Sequence, residues 1–416
     1  MTILLVLLLS PLNASAASGI TAMIGNQYYE GLEQAIEAAS STDVIKMVAD
    51  TTLTESQNIN KTVNINLNGH NIAADESVFS VQGGSLNLTG KGTVKELKPN
   101  YGAVVIKGSE DSSDKDYSTI SVGEDVTLEG WSGVFITQTN DKSYGVNANI
   151  KGTINSVKDV NDNVGAGVYV NGKVKDKENH PIINLTETAK INSEGDGLYI
   201  AGYATVNING ASITGKDSGL ALKSGIFNIN SGTITCTGAD RTPTSGNTNG
   251  INPSGTAIQI ESNDNYAGNI ELNIKGGLIK SSNSYAIYEY TTNSSSTKVS
   301  SISISGGEFI SGGSKPVFSF SDSFKGKHSA FISGGEFSTT PSTYLKSGYT
   351  TEEKNNMYEV ISATAKEVNK INNVSKDANN KSTFWIIAIP LLAIFSFIAY
   401  VFRDSIKSTI NHLMNK

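Results

Sequence analysis

The four histidines and the single cysteine, side chains often used as bases and nucleophiles near neutral pH, are widely separated along this sequence. His70, His180 and His328 are each isolated from any nucleophile pattern, and an Asn/Gly turn between strands accounts for His70 without chemistry. Cys236 is the only cysteine, so no disulfide can form within the chain, and we expect a buried, unreactive thiol. These observations identify no catalytic residue.

Two acidic loops offer oxygen ligands of the kind that Ca²⁺ prefers. Residues 110–116 carry several carboxylates, and residues 159–165 carry oxygen-bearing side chains at alternate positions. The second loop resembles half of an EF-hand, but Gly165 falls one place late and the twelfth position, Val170, has no carboxylate. We therefore expect solvated loops and no metal or cofactor, with Ca²⁺ as the open alternative.

Aromatic side chains recur in short strand-like segments along the chain, at Phe135, Tyr169, Tyr199, Tyr285, Tyr288 and Tyr290. Tyr288 and Tyr290 alternate with Ile287 and so share one face of a strand. If that face points outward, the two tyrosines are candidate ligand-facing aromatics able to stack on sugar rings. If it points inward, they are core residues, and the sequence leaves both alternatives open.

The segments that must position these residues repeat from about residue 56 to 340. Each copy is a short strand that alternates aliphatic with polar residues, followed by a turn of Asn or Gly and one more aliphatic residue. The clearest copies are residues 206–213, 227–234, 272–279, 302–309 and 330–337. Aligned on the closing aliphatic residue, Ile191, Ile213 and Ile234 are 22 and 21 residues apart, and Ile72 and Val94 are 22 apart. Such a period, with insertions at fixed corners, indicates a solenoid.

The period of two within each copy explains why the copies must stack. In Val206-Asn207-Ile208 the two aliphatic residues face one way and the asparagine faces the other, so a single copy cannot bury its apolar face. Stacking copies about 4.8 Å apart buries the aliphatic residues in a continuous interior. We therefore predict an all-β fold, a parallel β-helix, with Asn or Gly supplying left-handed backbone at the corners. Asparagine side chains are expected to form hydrogen-bonded ladders along the stack.

Both ends of a solenoid need covers. Residues 17–55 are predicted to form the N-terminal cap, in which a helix buries Leu32, Ala35, Ile36 and Ala39. Residues 56–361 are predicted to form the β-helix with its C-terminal cover. Longer corner insertions are expected to collect on one flank and to face a partner, at residues 109–117, 137–144, 173–180, 238–253 and 291–297.

The two ends of the chain predict export and membrane anchoring. An apolar run followed by Ala14-Ser15-Ala16 predicts a signal peptide at residues 1–16, although no basic residue precedes the run. Residues 362–383 form a polar stalk, and residues 384–402 are nineteen uncharged residues, long enough for a transmembrane helix. Basic residues in the tail, 403–416, predict that the tail is cytoplasmic and that the large N-terminal region is extracellular.

The overall charge argues against one class of partner. The formal net charge is −7, and the chain shows no basic patch of the kind that binds nucleic acid. An acidic balance is instead typical of a soluble, self-repelling surface. We expect no nucleic-acid partner.

The segment from Leu32 to Ile72 resembles the opening of right-handed β-helix proteins of the pectate-lyase-like superfamily, on the residues Ala35-Ile36-Glu37-Ala38-Ala39 and 65–72. Residues 332–338 followed by Tyr344-Leu345 look like bacterial surface proteins of that superfamily, often from Firmicutes. The resemblance covers roughly residues 28–361. It implies a right-handed β-helix, but that fold hosts lyases, hydrolases and adhesins, so it implies no single activity.

The catalytic motifs of that superfamily are not matched here. Its lyases use acidic residues to hold Ca²⁺ and a basic residue, often arginine, to abstract a proton, whereas Arg241 is the only arginine outside the tail and no acidic cluster accompanies it. Three of the four motifs of the polygalacturonase-like relatives, Asp-Asp, Gly-His-Gly and Arg-x-Lys, are absent. We therefore expect a membrane-anchored adhesin or scaffold that binds glycans or surface proteins of a host or neighbouring cell. The alternative is a lyase or hydrolase acting on acidic polysaccharides.

Overall fold

The computed structural model describes residues 19–173, 178–243 and 252–362. The predicted signal peptide, transmembrane segment and cytoplasmic tail, and all but the first residue of the predicted stalk, lie outside the described residues. Within the described ranges, no helix has both the length and the apolar composition needed to cross a bilayer.

Most strands fall into three columns in which successive members are hydrogen-bonded neighbours. The first column consists of Gln57–Ile59, Phe79–Val81, Val104–Lys107, Val134–Thr137, Ala166–Val170, Asp196–Ile200, Ser218–Leu222, Ile258–Ser262, Ile287–Thr291 and Phe318–Ser319. The second consists of Val44–Met47, Thr62–Asn66, Ser85–Thr89, Ser118–Val122, Val146–Ile150, Ile182–Leu185, the first halves of Thr205–Gly215 and Gly225–Cys236, Ile270–Ile274 and Val299–Ile304. The third consists of Thr51–Leu53, Ile72–Ala74, Gly92–Glu96, Val126–Gly130, Thr153–Ser156, Lys190–Ser193, the second halves of the same two long strands, Leu278–Ser281, Glu308–Ile310 and Glu336–Phe337.

The chain visits the first, second and third columns in turn, and neighbouring strands within each column run parallel. Ile72 pairs with Val94, Ile191 with Ile213, and Ile213 with Ile234, so the closing aliphatic residues of the sequence repeat are stacked on one another. The protein is therefore all-β, with mostly parallel sheets and a repeating unit that fits a parallel β-helix of three strands per coil.

One side of every column is buried and mainly apolar. In the first column the buried row runs through Val104, Val134, Val168, Leu198 and Leu220, all 0% exposed. Because alternate residues of a strand point to opposite faces, the residues between them point away from the core. Each strand thus has an inner row that packs in the core and an outer row available for other contacts.

The predicted asparagine ladder is present on the outer face of the second column. The side-chain amide of each asparagine donates to the carbonyl oxygen of the one before it, at 2.9–3.1 Å, along Asn149, Asn184, Asn207, Asn228 and Asn273. Each side-chain amide supplies the hydrogen bond that the neighbouring asparagine needs, so this row requires no hydrogen-bond partner from another part of the chain.

Glycines with left-handed backbone turn the chain from the second to the third column, as the repeat predicts. Their φ angles lie between 97° and 113° at Gly210, Gly232, Gly277, Gly307 and Gly335. A β-carbon at Gly232 would lie 2.4 Å from the carbonyl oxygen of Ala211 in the preceding coil. Glycine is therefore required there both by φ and by the close approach of the stacked backbones.

Both ends of the stack are covered. At the front, the hairpin Ala22–Ile24 and Gln27–Tyr29 pairs antiparallel to Val44–Met47, and the helix Leu32–Ala38 buries Leu32, Ala35 and Ile36. The parallel columns begin at Val44–Met47, within the segment 17–55 that we expected to form the cap. Antiparallel pairing blocks a strand edge that could otherwise add another chain.

At the rear, the cover is built from aromatic side chains and a hairpin. The helix Asp322–Lys327, the 3₁₀ helix Ser342–Tyr344 and the antiparallel hairpin Tyr349–Lys354 and Met357–Ser362 close this end. Rings pack within 4.1–6.4 Å of one another in a cluster formed by Phe309, Phe318, Phe320, Phe324, Phe331, Phe337 and Tyr344.

A carboxyl group is enclosed where the chain enters the first column. Asp196 is 2% exposed and its Oδ1 accepts a 2.5 Å hydrogen bond from the Ser218 hydroxyl. Burial raises the pKa of Asp196 from its ordinary value of 3.8 to about 7, while the Ser218 hydrogen bond opposes the shift. Between about pH 4 and pH 7, Asp196 therefore keeps its proton in the folded protein, whereas it has lost that proton in the unfolded chain.

We expect this proton to make stability depend on pH between about 4 and 7. Because the pKa is raised in the folded state, the contribution is complete below about pH 4 and is lost as the pH rises through 7, at up to about 1.4 kcal/mol per pH unit. Asp196→Asn should flatten this dependence in denaturant titrations at pH 4, 5.5 and 7. If the free energies of unfolding of the wild type and of Asp196→Asn changed equally with pH, Asp196 would be ionised in the folded state.

Candidate functional site

The outer face of the first column carries a continuous row of aromatic rings. Phe135, Tyr169 and Tyr199 occupy equivalent positions in successive coils, and they point outward because Val134 and Ile136 beside Phe135 are buried in the core. Phe135 and Tyr169 stack at 4.9 Å, and Tyr169 and Tyr199 stack at 4.4 Å between centroids. The register of the parallel strands thus holds these rings face to face.

Two further rings, contributed by corners, widen this row. Tyr101 meets Phe135 edge-on at 5.9 Å, and Trp131 lies 5.4 Å from Tyr169. We call the resulting surface the front aromatic ladder: Tyr101, Trp131, Phe135, Tyr169 and Tyr199. Exposure falls along it, since Tyr101 is 55% exposed, the three middle rings are partly exposed and Tyr199 is 1% exposed.

Two open concavities flank the front aromatic ladder. One, of about 510 Å³, is lined by Tyr101, Phe135, Val105, Lys107, Thr137, Asn58, Ser56, Ser77, Ser80, Glu55 and Glu76. The other, of about 410 Å³, is lined by Trp131, Tyr169, Val164, Asn163, Asp162, Asp217 and Pro253. Aromatic faces beside hydroxyl, amide and carboxylate groups are the combination that can stack on a sugar ring and hydrogen-bond its hydroxyls.

The candidate ligand-facing tyrosines, Tyr288 and Tyr290, lie further along the same outer face. Tyr288 is partly exposed and stacks at 5.2 Å on Tyr290, which is 8% exposed. The hydroxyl of Tyr290 accepts hydrogen bonds from Gln259 and Asn252. Tyr285 lies beside Tyr288, and the Lys315 ammonium lies 4.9 Å from the centroid of the Tyr285 ring. Tyr288 is thus accessible to a ligand, whereas Tyr290 is enclosed by neighbouring side chains.

A buried polar cluster separates the two aromatic regions. Lys223 and Glu261, each 1% exposed, form an ion pair between adjacent coils. Tyr199, the last ring of the front aromatic ladder, lies 5.2 Å from the Lys223 ammonium, and Tyr266 lies 5.0 Å from it. The outer face is therefore accessible at the ladder and closed over this ion pair.

Four of the five corner insertions leave the chain at one corner, between the first and second columns. The exception, residues 238–253, lies between the third and first columns. Three of the four touch: Ser109 pairs with Tyr144, Lys173 lies 2.9 Å from Asp141, and Asn179 donates to the carbonyl oxygen of Ser112. The corner that carries these insertions borders the larger of the two concavities, at Lys107 and Thr137.

The isolated polar residues of the sequence have local partners. His70 lies 3.4 Å from Asp50, His180 lies 2.6 Å from the Thr205 hydroxyl, and His328 lies 2.9 Å from the Val299 carbonyl oxygen at the end of the second helix. Arg241 lies 3.5 Å from Asp217 and remains largely exposed. Cys236 is buried, which raises the pKa of its thiol to about 12. The thiol is thus held in its unreactive protonated form.

The acidic loops use their carboxylates in local hydrogen bonds. Asp111 accepts from Ser113, and Asp159 accepts from the backbone of Asn161 and from both the backbone and side chain of Asn163. No group of three or more His, Cys, Asp or Glu residues in the described part of the chain is arranged to hold a metal ion.

Sequence reasoning missed the contribution of the corners to this face. Tyr101 and Trp131 stand outside the alternating strands, and Lys223 and Glu261 are 38 residues apart. Only the coil register brings them together.

Scans of protein-family models, of curated proteins and of solved structures found no match to this chain.

Proposed function

We propose that this protein is a surface protein that binds neutral glycans through the front aromatic ladder. The observation that carries the proposal is the row of stacked, partly exposed rings between two polar concavities. A folded protein usually buries aromatic rings in its core, and a contiguous exposed row is typical of a binding surface. Rigid strands hold Phe135, Tyr169 and Tyr199, so little conformational entropy is lost when a ligand stacks on these rings.

The charges around the ladder favour a neutral ligand over an acidic one. Glu55 and Glu76 line one concavity beside a single lysine, Lys107. Asp162 and Asp217 line the other, and they pair with Lys158 and Arg241. Glu55 and Glu76 would repel a polyuronate chain, while the carboxylate oxygens of both concavities can accept hydrogen bonds from sugar hydroxyls. The proposal therefore departs from the acidic polysaccharides that an enzyme of the resembled superfamily would use.

We further propose that the stack is a right-handed β-helix of the pectate-lyase-like superfamily, from a bacterial surface protein. The supporting features are the parallel three-column fold, the sequence resemblance over residues 28–361, and the terminal apolar runs. Residues 1–16 would direct export, and residues 384–402 would anchor the chain with its N-terminal region outside. Many copies on one cell would multiply weak contacts made by each ladder.

Removing a central ring of the ladder should weaken glycan binding. We expect Phe135→Ala and Tyr169→Ala each to lower affinity about tenfold, because each loses a stacking surface worth about 1.4 kcal/mol. The measurement is a glycan array probed with the full-length protein in detergent, followed by titration of the strongest neutral ligand. Tyr28→Ala is the matched control, since Tyr28 is 52% exposed but lies on the N-terminal hairpin. Equal affinity of all four proteins, or binding to acidic glycans alone, would refute the proposal.

A further inference from the structure

Lys223 and Glu261 lie side by side on the outer face of the first column. Leu222, the last residue of its strand, pairs with Ile260, so Lys223, directly after that strand, and Glu261 follow paired residues in adjacent coils. Each residue is 1% exposed, and the Lys223 Nζ is in direct contact with the Glu261 Oε2. A buried ion pair loses the hydration of both charges, and its attraction often only balances that cost. Simple stabilisation therefore does not account for this pair.

The groups around the pair are those that an acyl-transfer site needs. The Thr292 hydroxyl donates to the Glu261 Oε1 at 2.6 Å, and the Asn263 side-chain amide donates to the same oxygen at 3.0 Å. Two donors aimed at one carboxyl oxygen can stabilise negative charge that develops there. The Tyr290 hydroxyl donates to the other oxygen, Oε2, at 3.3 Å. Tyrosine rings cover the lysine and exclude water, which would otherwise hydrate the two charges and disfavour the neutral amine and acid.

We propose that Lys223 and Glu261 are joined by an isopeptide bond that forms within the folded chain. A proton passes from the Lys223 ammonium to the Glu261 Oε2 along their hydrogen bond, giving a neutral amine and a neutral carboxylic acid. The Nζ lone pair then attacks Cδ, and the negative charge moves to Oε1, where Thr292 and Asn263 hold it.

Collapse of this intermediate completes the reaction. The C–Oε2 bond breaks, and Oε2 leaves as water with the proton it already carries and one from Nζ, to which the Tyr290 hydroxyl can relay it. The products are one amide and one water molecule. No oxidant, reductant or other reactant is needed, since amine and acid are both supplied by the chain.

The position of the link gives it a structural role. It joins adjacent coils across residues 238–253, the insertion that separates strands Gly225–Cys236 and Ile258–Ser262. Such an insertion lengthens the chain that must close between stacked coils, which raises the entropic cost of closing it. The single cysteine allows no disulfide there. An amide across the insertion restricts the unfolded chain in the way that a disulfide does, and it also resists reduction.

Peptide mass analysis tests this proposal directly. The full-length protein is purified from the membranes of expressing cells, denatured and digested with trypsin. We expect residues 217–241 to be recovered joined to residues 242–275, with a mass lower by one water than the sum of the two peptides, because trypsin does not cleave after an acylated lysine. Glu261→Ala should restore cleavage after Lys223.

An exposed pair provides the matched control. Lys216 and Glu194 also join adjacent coils, with 2.7 Å between Nζ and Oε1, but their side chains are 56% and 35% exposed. Both residues fall in the tryptic peptide 191–216, which should be recovered with cleavage after Lys216 and without loss of water, because water hydrates both groups and no covering rings exclude it. Recovery of wild-type peptide ending at Lys223, together with a linear peptide containing unmodified Glu261, would overturn the proposal. A link at both pairs would also overturn it, since burial would then not select the site.

Discussion

Replacing Glu261 by alanine is expected to lower the free energy of unfolding by about 3–5 kcal/mol, because it leaves the Lys223 ammonium buried without its counter-charge. Lys223 is 1% exposed, and the donors Thr292, Asn263 and Tyr290 lose their acceptor at the same time. A covalent link between the two side chains would add to this loss. The measurement is guanidinium unfolding of the variant and the wild type.

Two further variants distinguish the effect of an unpaired buried charge on stability from the effect of shortening any glutamate side chain. Glu194→Ala removes the acidic partner of the exposed pair with Lys216 and should cost less than about 1 kcal/mol. Lys223→Met with Glu261→Leu should be more stable than Glu261→Ala, because it removes the unpaired ammonium, while the loss due to the donors and to a covalent link remains. Equal effects of Glu261→Ala and Glu194→Ala would mean that water reaches the buried cluster.

Replacing Phe227 by alanine should cost about 3–5 kcal/mol, the range for removing a large aromatic side chain from a packed interior. Phe227 is 1% exposed, and its strand neighbours in the coils on either side are Val206 and Leu272. Because each coil rests on its neighbours, the empty volume cannot be filled without moving stacked backbones. Thermal or guanidinium unfolding measures the loss.

The same alanine substitution on the surface gives the control for Phe227. Tyr349 is 38% exposed in the C-terminal hairpin, and Tyr349→Ala should change stability by no more than about 0.5 kcal/mol. A loss of similar size in both variants would contradict the assignment of Phe227 to the interior row.

Local pattern was sufficient to predict the stack. Alternation of aliphatic and polar residues determined which side of Val206-Asn207-Ile208 is buried, and the recurring closing aliphatic residue determined which coils align, as the pairing of Ile191, Ile213 and Ile234 confirms. The asparagine ladder followed from the same register, because an outer position repeated in every coil must meet its own copy.

The candidate site was less accessible to sequence reasoning. The inward or outward direction of Tyr288 depends on the inner row of its column, which the strand alone does not reveal. Tyr101 and Trp131 lie at corners, where no periodicity predicts direction. The contact of Lys223 with Glu261 depends on how the coil register continues after the insertion at residues 238–253. The repeat does not determine the length of that insertion, so the repeat does not predict the contact.

The measurement that tests glycan binding by the front aromatic ladder most directly is the fluorescence of Trp131. The chain has two tryptophans, so a Trp385→Phe background leaves Trp131 as the only reporter, at the centre of the ladder. Titration of the full-length protein with a neutral oligosaccharide selected on the array should give a saturable change in emission, and Tyr169→Ala should weaken it about tenfold. Saturable binding of that oligosaccharide with no change in Trp131 emission would contradict the account.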